Sequence, residues 1–213
     1  MVRKFRERSG SLRLKRIVYL ISPKKIDRNF YNKLDEVLSI KNVKFFQLRL
    51  KNTKKNKLII IAKKVKVITK KYNVKLIIND RWDISKITNA DGCHLGQTDG
   101  LVRDAKKNYK KQIVGVTCHN SKLLARAAIK NKADYLAFGS FNKSKLKPKA
   151  KRANLDILIW AKRNIKKPIV AIGGINNLNY KKFLKSGANY IAISSYIWDN
   201  PRLKPKFAIR KFK

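Results

Sequence analysis

The 213-residue chain is predicted to be an α/β protein, a single (β/α)8 TIM barrel. Eight short apolar runs alternate with amphipathic stretches, the pattern of repeated strand–helix units. Such alternation fits a closed barrel or an open doubly wound sheet. The first run is followed by Ser22-Pro23-Lys24, with no GxGxxG fingerprint, which counts against a dinucleotide fold. The last two runs end in Gly173-Gly174 and Ser194-Ser195. Barrels often build a phosphate site from the loops after strands 7 and 8, where bare backbone N–H groups meet the ligand. Glycine lets the backbone approach closely, and a serine hydroxyl can donate. A glycine pair alone also suits a plain tight turn; beside the serines at the next strand end it favours the barrel.

The predicted strands are Ile17–Ile21, Lys44–Leu50, Lys75–Asn79, Gly92–Leu95, Ile113–Thr117, Tyr135–Gly139, Ile169–Gly173 and Tyr190–Ser194. Each is short and rich in Ile, Val, Leu or Phe, as strands covered on both faces should be. Helices are predicted over Phe30–Ile40, Lys54–Tyr72, Ser121–Asn131, Asn154–Asn164 and Tyr180–Ser186, with apolar residues at three- and four-residue spacing. Leu58, Ile61, Ala62, Val65 and Ile68 form the clearest stripe. The crossovers Ile84–Asn89 and Leu101–Asn108 are short and weakly patterned, and Arg202–Lys213 holds at most a short final helix. Residues 1–16 read as a basic N-terminal arm before a barrel domain over 17–213, and Phe141–Arg152 as a long, mobile cationic loop after strand 6.

At 44% hydrophobic residues the chain can bury a substantial core. It has no apolar run long enough for a membrane span, and its start lacks the apolar stretch of a secretory signal. Cys93 and Cys118 are far apart and show no CxxC spacing, so a disulfide framework and a metal cluster are both unsupported. A cytoplasmic location is therefore expected. Charge is the extreme feature: 54 Lys+Arg against 12 Asp+Glu, a formal +42. Such a field attracts polyanions and steers anionic metabolites. The lysines are spread along the whole chain beside many Ile, Asn, Tyr and Phe, whereas a nucleic-acid binder concentrates charge on one face or arm. No specific nucleic acid and no membrane partner are expected, and a homo-oligomer is compatible with the sequence.

Polar residues at the C-terminal ends of barrel strands face the mouth. Alternation along strand 2 sends Gln47, Arg49 and Lys51 to one side. Asn79-Asp80-Arg81 follows an Ile-Ile run, and an acid there needs a partner. Asp99 lies just past strand 4, and with Asp80 it suits a Mg2+ ion held by one or two carboxylates plus water and phosphate oxygens. Either acid alone equally suits a helix N-cap. His94 fits a satisfied barrel-interior histidine as well as a ligand-facing one. Asn120 or Ser121 caps the next helix. Beyond strand 6 come Ser144, Lys145 and Lys147, of which a lone lysine says little in this chain. With no Ser-His-Asp order, no HExxH and no paired Glu, the set points to departure or transfer of a phosphate-type group stabilised by charge.

Taken in order, these strings resemble thiamine-phosphate synthase. They are Gln47-Leu48-Arg49-x-Lys51, Ile78-Asn79-Asp80-Arg81, Ala90-Asp91-Gly92-Cys93-His94-Leu95-Gly96-Gln97-x-Asp99, Gly115-Val116-Thr117-Cys118-His119, Ala133-Asp134-Tyr135, Val170-Ala171-Ile172-Gly173-Gly174-Ile175 and Gly187-Ala188-Asn189. They extend over about residues 17–198. The resemblance implies a Mg2+-assisted transferase that joins a hydroxymethylpyrimidine diphosphate to a thiazole phosphate, releasing pyrophosphate. It implies that Arg49, Lys51, Asn79 and Lys147 hold the diphosphate and that Asp80 and Asp99 hold Mg2+. Gln47 and His94 meet the pyrimidine. Thr117 stands where the family usually has a serine that assists it. Gly174, Ser194 and Ser195 take the thiazole phosphate, and Ser144 belongs to the strand-6 substrate loop. Three departures stand out. The family's Arg-Glu-Lys is Arg49-Leu50-Lys51; its Pro-Thr-x-Thr-Lys loop is Lys143-Ser144-Lys145-Leu146-Lys147; and Cys118 replaces a small apolar residue. Two other functions fit less of the chain. A thiazole tautomerase-like paralogue would need no diphosphate site, and a basic RNA- or anionic-surface-binding protein would use only the charge.

Overall fold

A computed structural model describes residues 16–142 and 152–213. Eight parallel strands close into a barrel in sequence order. They are β1 (Val18–Ile21), β2 (Val43–Leu48), β3 (Lys75–Asn79), β4 (Gly92–Leu95), β5 (Ile113–His119), β6 (Tyr135–Phe138), β7 (Ile169–Ile172) and β8 (Tyr190–Ile193). The helices are α1 (Phe30–Leu38), α2 (Lys55–Lys71), α3 (Trp82–Ile87), α4 (Val102–Asn108), α5 (Lys122–Lys130), α6 (Asp156–Asn164), α7 (Tyr180–Lys185), α8 (Ser195–Trp198) and α9 (Pro205–Ile209). All eight predicted strands are present, β3 and β4 with the predicted bounds. Segments 1–15 and 143–151, and with them most of the predicted arm and of the strand-6 loop, lie outside the described residues.

Alternation along the strands separates two apolar layers. Val18, Leu20, Phe46, Leu48, Leu76 and Ile78 belong to the shell between strands and helices. Tyr19, Ile21, Phe45, Ile77, Tyr135, Ala137, Val170 and Ala192 form a second cluster inside the barrel. The α2 stripe packs as expected through Leu58, Ile61, Ala62 and Val65. Ile68 is only partly buried, and Thr69 occupies the fully buried place beside it. Ser121 caps α5, accepting a 3.2 Å hydrogen bond from the N–H of Leu124.

The closed end of the barrel is pinned by one device used three times. Asp91, Asp134 and Asn189 each immediately precede an even-numbered strand. Each side chain accepts the N–H of a residue at the start of the preceding strand: Leu76 at 2.9 Å, Val114 at 2.7 Å and Ile169 at 2.8 Å. Lys66 and Lys75 pair with Asp91 at 2.5 and 3.1 Å, and Lys106 pairs with Asp134. The C-terminal stretch contributes more than a marginal helix. Ala208, Ile209 and Phe212 are buried, and Asn42 Nδ2 donates to the carbonyls of Ile209 and Phe212, both at 2.9 Å.

Candidate active site

The mouth begins with strand β2. Gln47 is buried and points into the barrel, but the strand ends at Leu48. The alternation expected through Arg49 and Lys51 therefore stops short of both residues, which lie on the loop that follows. The loop backbone is held by Ser22: Arg49 N–H donates to its Oγ at 2.9 Å. Arg49 and Lys51 are nonetheless close enough to Asp80 to act on its charge.

Asp80 follows β3 with a left-handed backbone, φ 63°, a conformation that Asp tolerates better than most residues. Its N–H donates to the His94 carbonyl at 2.8 Å, which fixes the turn against β4. Asp99 is held by a 2.9 Å hydrogen bond from Gly96 N–H to its Oδ2. A Cβ at Gly96 would stand 2.4 Å from that oxygen, so any other residue would require the carboxylate to shift. The two carboxyls are close enough to hydrogen-bond each other. Burial, followed by the neighbouring Asp99, raises the Asp80 carboxyl to about 6, against the opposing pull of Lys51 and Arg49. Two acids forced together are a natural site for a divalent cation, whose charge removes the repulsion. Among the described residues no cluster of three or more His, Cys, Asp or Glu could hold a metal. A cation here would thus complete its shell with water and ligand oxygens, as Mg2+ characteristically does.

His94 lies below this pair. Its Nδ1 is 2.9 Å from the Tyr135 hydroxyl and its Nε2 2.8 Å from Thr117 Oγ1. Burial lowers the imidazole to about 4, with Asp99 opposing and Arg49 assisting, so the ring is neutral at pH 7. His94 is therefore both a satisfied interior histidine and a neighbour of the mouth. The hydrogen-bonded line continues inward: Tyr135 Oη to Tyr19 Oη is 2.7 Å, and Gln47 Nε2 donates to Tyr19 Oη at 3.2 Å. Tyr19 and Tyr135 were not among the predicted site residues. Their inward parity on β1 and β6 was a usable signal, since a buried phenol requires a partner. Gln97 was also missed; its amide donates to the Thr117 carbonyl. A register shift between Thr117 and His119 ends the regular part of β5 at this point. Asn79 continues the inward parity of Ile77 and reaches the rim.

The other side of the mouth is formed after β7 and β8. Gly173 and Gly174 both have positive φ, 112° and 59°. Their carbonyls are held by Asn142 Nδ2 at 3.0 and 3.2 Å. Ser194 spends its hydroxyl on the Ser22 carbonyl at 3.0 Å, whereas Ser195, opening α8, is exposed. Ser144, Lys145, Leu146 and Lys147 lie outside the described residues. Cys93 and Cys118 are free and buried, and burial raises both thiols to about 12, which makes them inert packing residues.

Fold and mouth together define a (β/α)8 barrel with an acidic pair and two nearby cations at its strand ends. The sequence profile of the family described as thiamine monophosphate synthase matches residues 18–197, and the chain belongs to that family. The thiamine-phosphate synthase of Pelagibacter ubique (strain HTCC1062) is 55% identical over 201 residues, 93% of this chain and 97% of that one. That of Erythrobacter litoralis (strain HTCC2594) is 35% identical over 85% and 87% of the two chains. The solved thiamine phosphate pyrophosphorylase from Pyrococcus furiosus superposes with a TM-score of 0.83 at 29% identity, over 94% of this chain and 95% of that one. The 3-hexulose-6-phosphate synthase of Salmonella typhimurium, at 17% identity and a TM-score of 0.67, shares the fold alone.

Proposed function

We propose that this chain is a thiamine-phosphate synthase, a transferase that joins a hydroxymethylpyrimidine diphosphate to a thiazole phosphate. The observation that carries this function is the meeting of Asp80 and Asp99 within the influence of Arg49 and Lys51, near a neutral His94 bonded to Thr117. In the reaction the bond from the pyrimidine methylene carbon to the diphosphate oxygen breaks, and its electron pair leaves with pyrophosphate. The thiazole nitrogen then gives its lone pair to the methylene carbon, forming the new C–N bond. Arg49, Lys51, Asn79 and, from the strand-6 loop, Lys147 hold the leaving diphosphate. Asp80 and Asp99 would hold Mg2+, which when bound would supply positive charge to the leaving group. Gln47 and His94 line the pyrimidine subsite and Thr117 donates to the ring. Gly174 and Ser195, with the backbone N–H of Ser194, take the thiazole phosphate, and Ser144 adds a hydroxyl.

Cations and dipoles fixed before the reaction stabilise the departing charge without reorganising. A tautomerase-like isomerase would have no use for the Asp80–Asp99 pair with two cations acting on it, and the curated relatives at 55% and 35% identity are both named as synthases. Among the described residues no helix is long and apolar enough to cross a membrane. We place the enzyme in the cytoplasm, with residues 17–213 as one catalytic barrel and 1–16 as a basic arm. The +42 charge acts as a general attractor of anions, without a specific nucleic-acid partner.

Incubating the folded protein with both phosphorylated substrates and Mg2+ and measuring thiamine phosphate tests this function. Formation of product is expected; none at any Mg2+ concentration would reject it. If instead the protein binds unrelated polyanions tightly at physiological salt, the charge has a use of its own.

A further inference from the structure

The line Gln47–Tyr19–Tyr135–His94–Thr117 crosses the barrel interior in four hydrogen bonds of 3.2, 2.7, 2.9 and 2.8 Å. Tyr19 and Tyr135 are each 2% exposed, so neither hydroxyl can turn to water. We infer that this line has one direction: every proton points from Gln47 toward the mouth, so His94 carries its hydrogen on Nε2 and Thr117 presents its hydroxyl hydrogen to the bound ring.

The direction follows from counting donors. With its amide set as here, nitrogen toward Tyr19, Gln47 can only donate, so Tyr19 Oη accepts at that end. The single hydroxyl hydrogen of Tyr19 then has one partner in the line, Tyr135 Oη. Tyr135 in turn donates to His94 Nδ1, which must be bare to accept. A neutral imidazole with bare Nδ1 carries its proton on Nε2, and Nε2–H donates to Thr117 Oγ1. Thr117 keeps its own hydrogen for a further acceptor. The reverse direction would have Thr117 donate to Nε2, Nδ1–H donate to Tyr135 and Tyr135 donate to Tyr19. With that orientation of the Gln47 amide, Tyr19 would then receive two hydrogen bonds and be left with a buried hydrogen facing no acceptor in the line. Such an orphan costs about 1–3 kcal/mol, enough to decide between two otherwise equal arrangements.

Two consequences concern the reaction, and they rest on the proposed function. First, His94 is not a base for Thr117, because its Nε2 is already occupied. Second, Thr117 meets the ligand as a donor, so it pairs with a lone-pair nitrogen of a heteroaromatic ring and disfavours an N–H group in the same place. Tyr19, Tyr135 and His94 are positioning residues for that hydroxyl.

The test is ring 15N–1H correlation spectroscopy of the substrate-free protein at pH 7.5. The chain has two histidines, and exposed His119 supplies the second set of signals. His94 is expected as a single neutral tautomer with the proton on Nε2; a proton on Nδ1 would overturn the inference. In Tyr135→Phe Nδ1 loses its only partner, so the preference for Nε2–H is expected to weaken and kcat to fall as Thr117 loses its fixed orientation. An unchanged tautomer together with unchanged kcat in that variant would remove the positioning role. Should Tyr135→Phe not fold, the wild-type spectrum still decides. Absence of synthase activity alongside an Nε2–H histidine would reject the proposed function and leave the hydrogen-bond direction standing.

Discussion

The ring of Tyr135 occupies the space that a side chain at Gly115 would need: an added Cβ would lie 1.9 Å from its Cζ. Gly115 pairs with His94 on one side and with Tyr135 on the other. With no side chain between them, the phenol leans over the glycine and stacks on the imidazole, centroids 5.6 Å apart and planes 22° apart. Gly115→Ala is expected to cost about 1–3 kcal/mol through overpacking and to lower turnover by breaking the hydrogen bond to His94. Chemical denaturation and steady-state kinetics check both. Wild-type stability and rate would show that the ring does not fill this space.

The Asp80–Asp99 pair predicts opposite effects on stability and activity. Asp80→Asn removes the repulsion and should raise the Tm of the metal-free protein. The same change should abolish the further rise in Tm expected of the wild type with Mg2+ and pyrophosphate, and lower kcat by about 10²-fold or more. Thermal melts with and without Mg2+ separate the two. A fall in the metal-free Tm would mean the carboxyls do not oppose each other.

Arg49→Ala and Lys51→Ala should each weaken the diphosphate subsite and leave the thiazole phosphate subsite intact. The expected result is a loss of about 10²-fold in kcat/KM for the pyrimidine diphosphate. The KM for the thiazole phosphate should stay near its wild-type value. Losses shared equally between the two substrates would move these cations out of the proposed subsite.

At the closed end, Asp91 supplies pH-dependent stability. Burial pushes its carboxyl up, but Lys66, the Leu76 N–H and Lys75 outweigh it and hold it below the ordinary carboxylate value. A depressed acid stabilises the fold above its unfolded value of 3.8, and that contribution disappears as pH falls through the folded one. Asp91→Asn should therefore cost about 1–3 kcal/mol at pH 7, with a shrinking deficit in strong acid. Urea titrations across pH measure this, and a deficit that grows in acid would contradict it.

Much of the fold was legible in the sequence because strands buried on both faces have to be short and apolar. The two weakly patterned crossovers were legible too, and form α3 and α4. α8 escaped notice, being only four residues long with one buried side chain, Ile197. The site was legible where a costly residue stood at a strand end. Asp80 and Asp99 are two of only 12 acids in the chain, and neither could be hidden without a partner. Tyr19 and Tyr135 escaped because a Tyr within an apolar strand looks like packing. Asp91, Asp134 and Asn189 looked like parts of a family pattern, and their shared use as clamps on neighbouring strands emerged only with the barrel closed.

The sequence by itself determined the order of strands and helices and the closure into a barrel, and it singled out Asp80 and Asp99 as costly residues at strand ends. Periodicity, turn chemistry and the cost of burying charge are local properties, and they can be read along one chain. Tertiary structure decided which groups meet. It carried Arg49 and Lys51 to Asp80 by a loop and not by strand alternation, and it joined five strands' side chains into one hydrogen-bonded line ending at Thr117. Those relations depend on distances between residues as far apart as Tyr19 and Tyr135, 116 positions along the chain. Only closing the barrel brings such residues within hydrogen-bond reach.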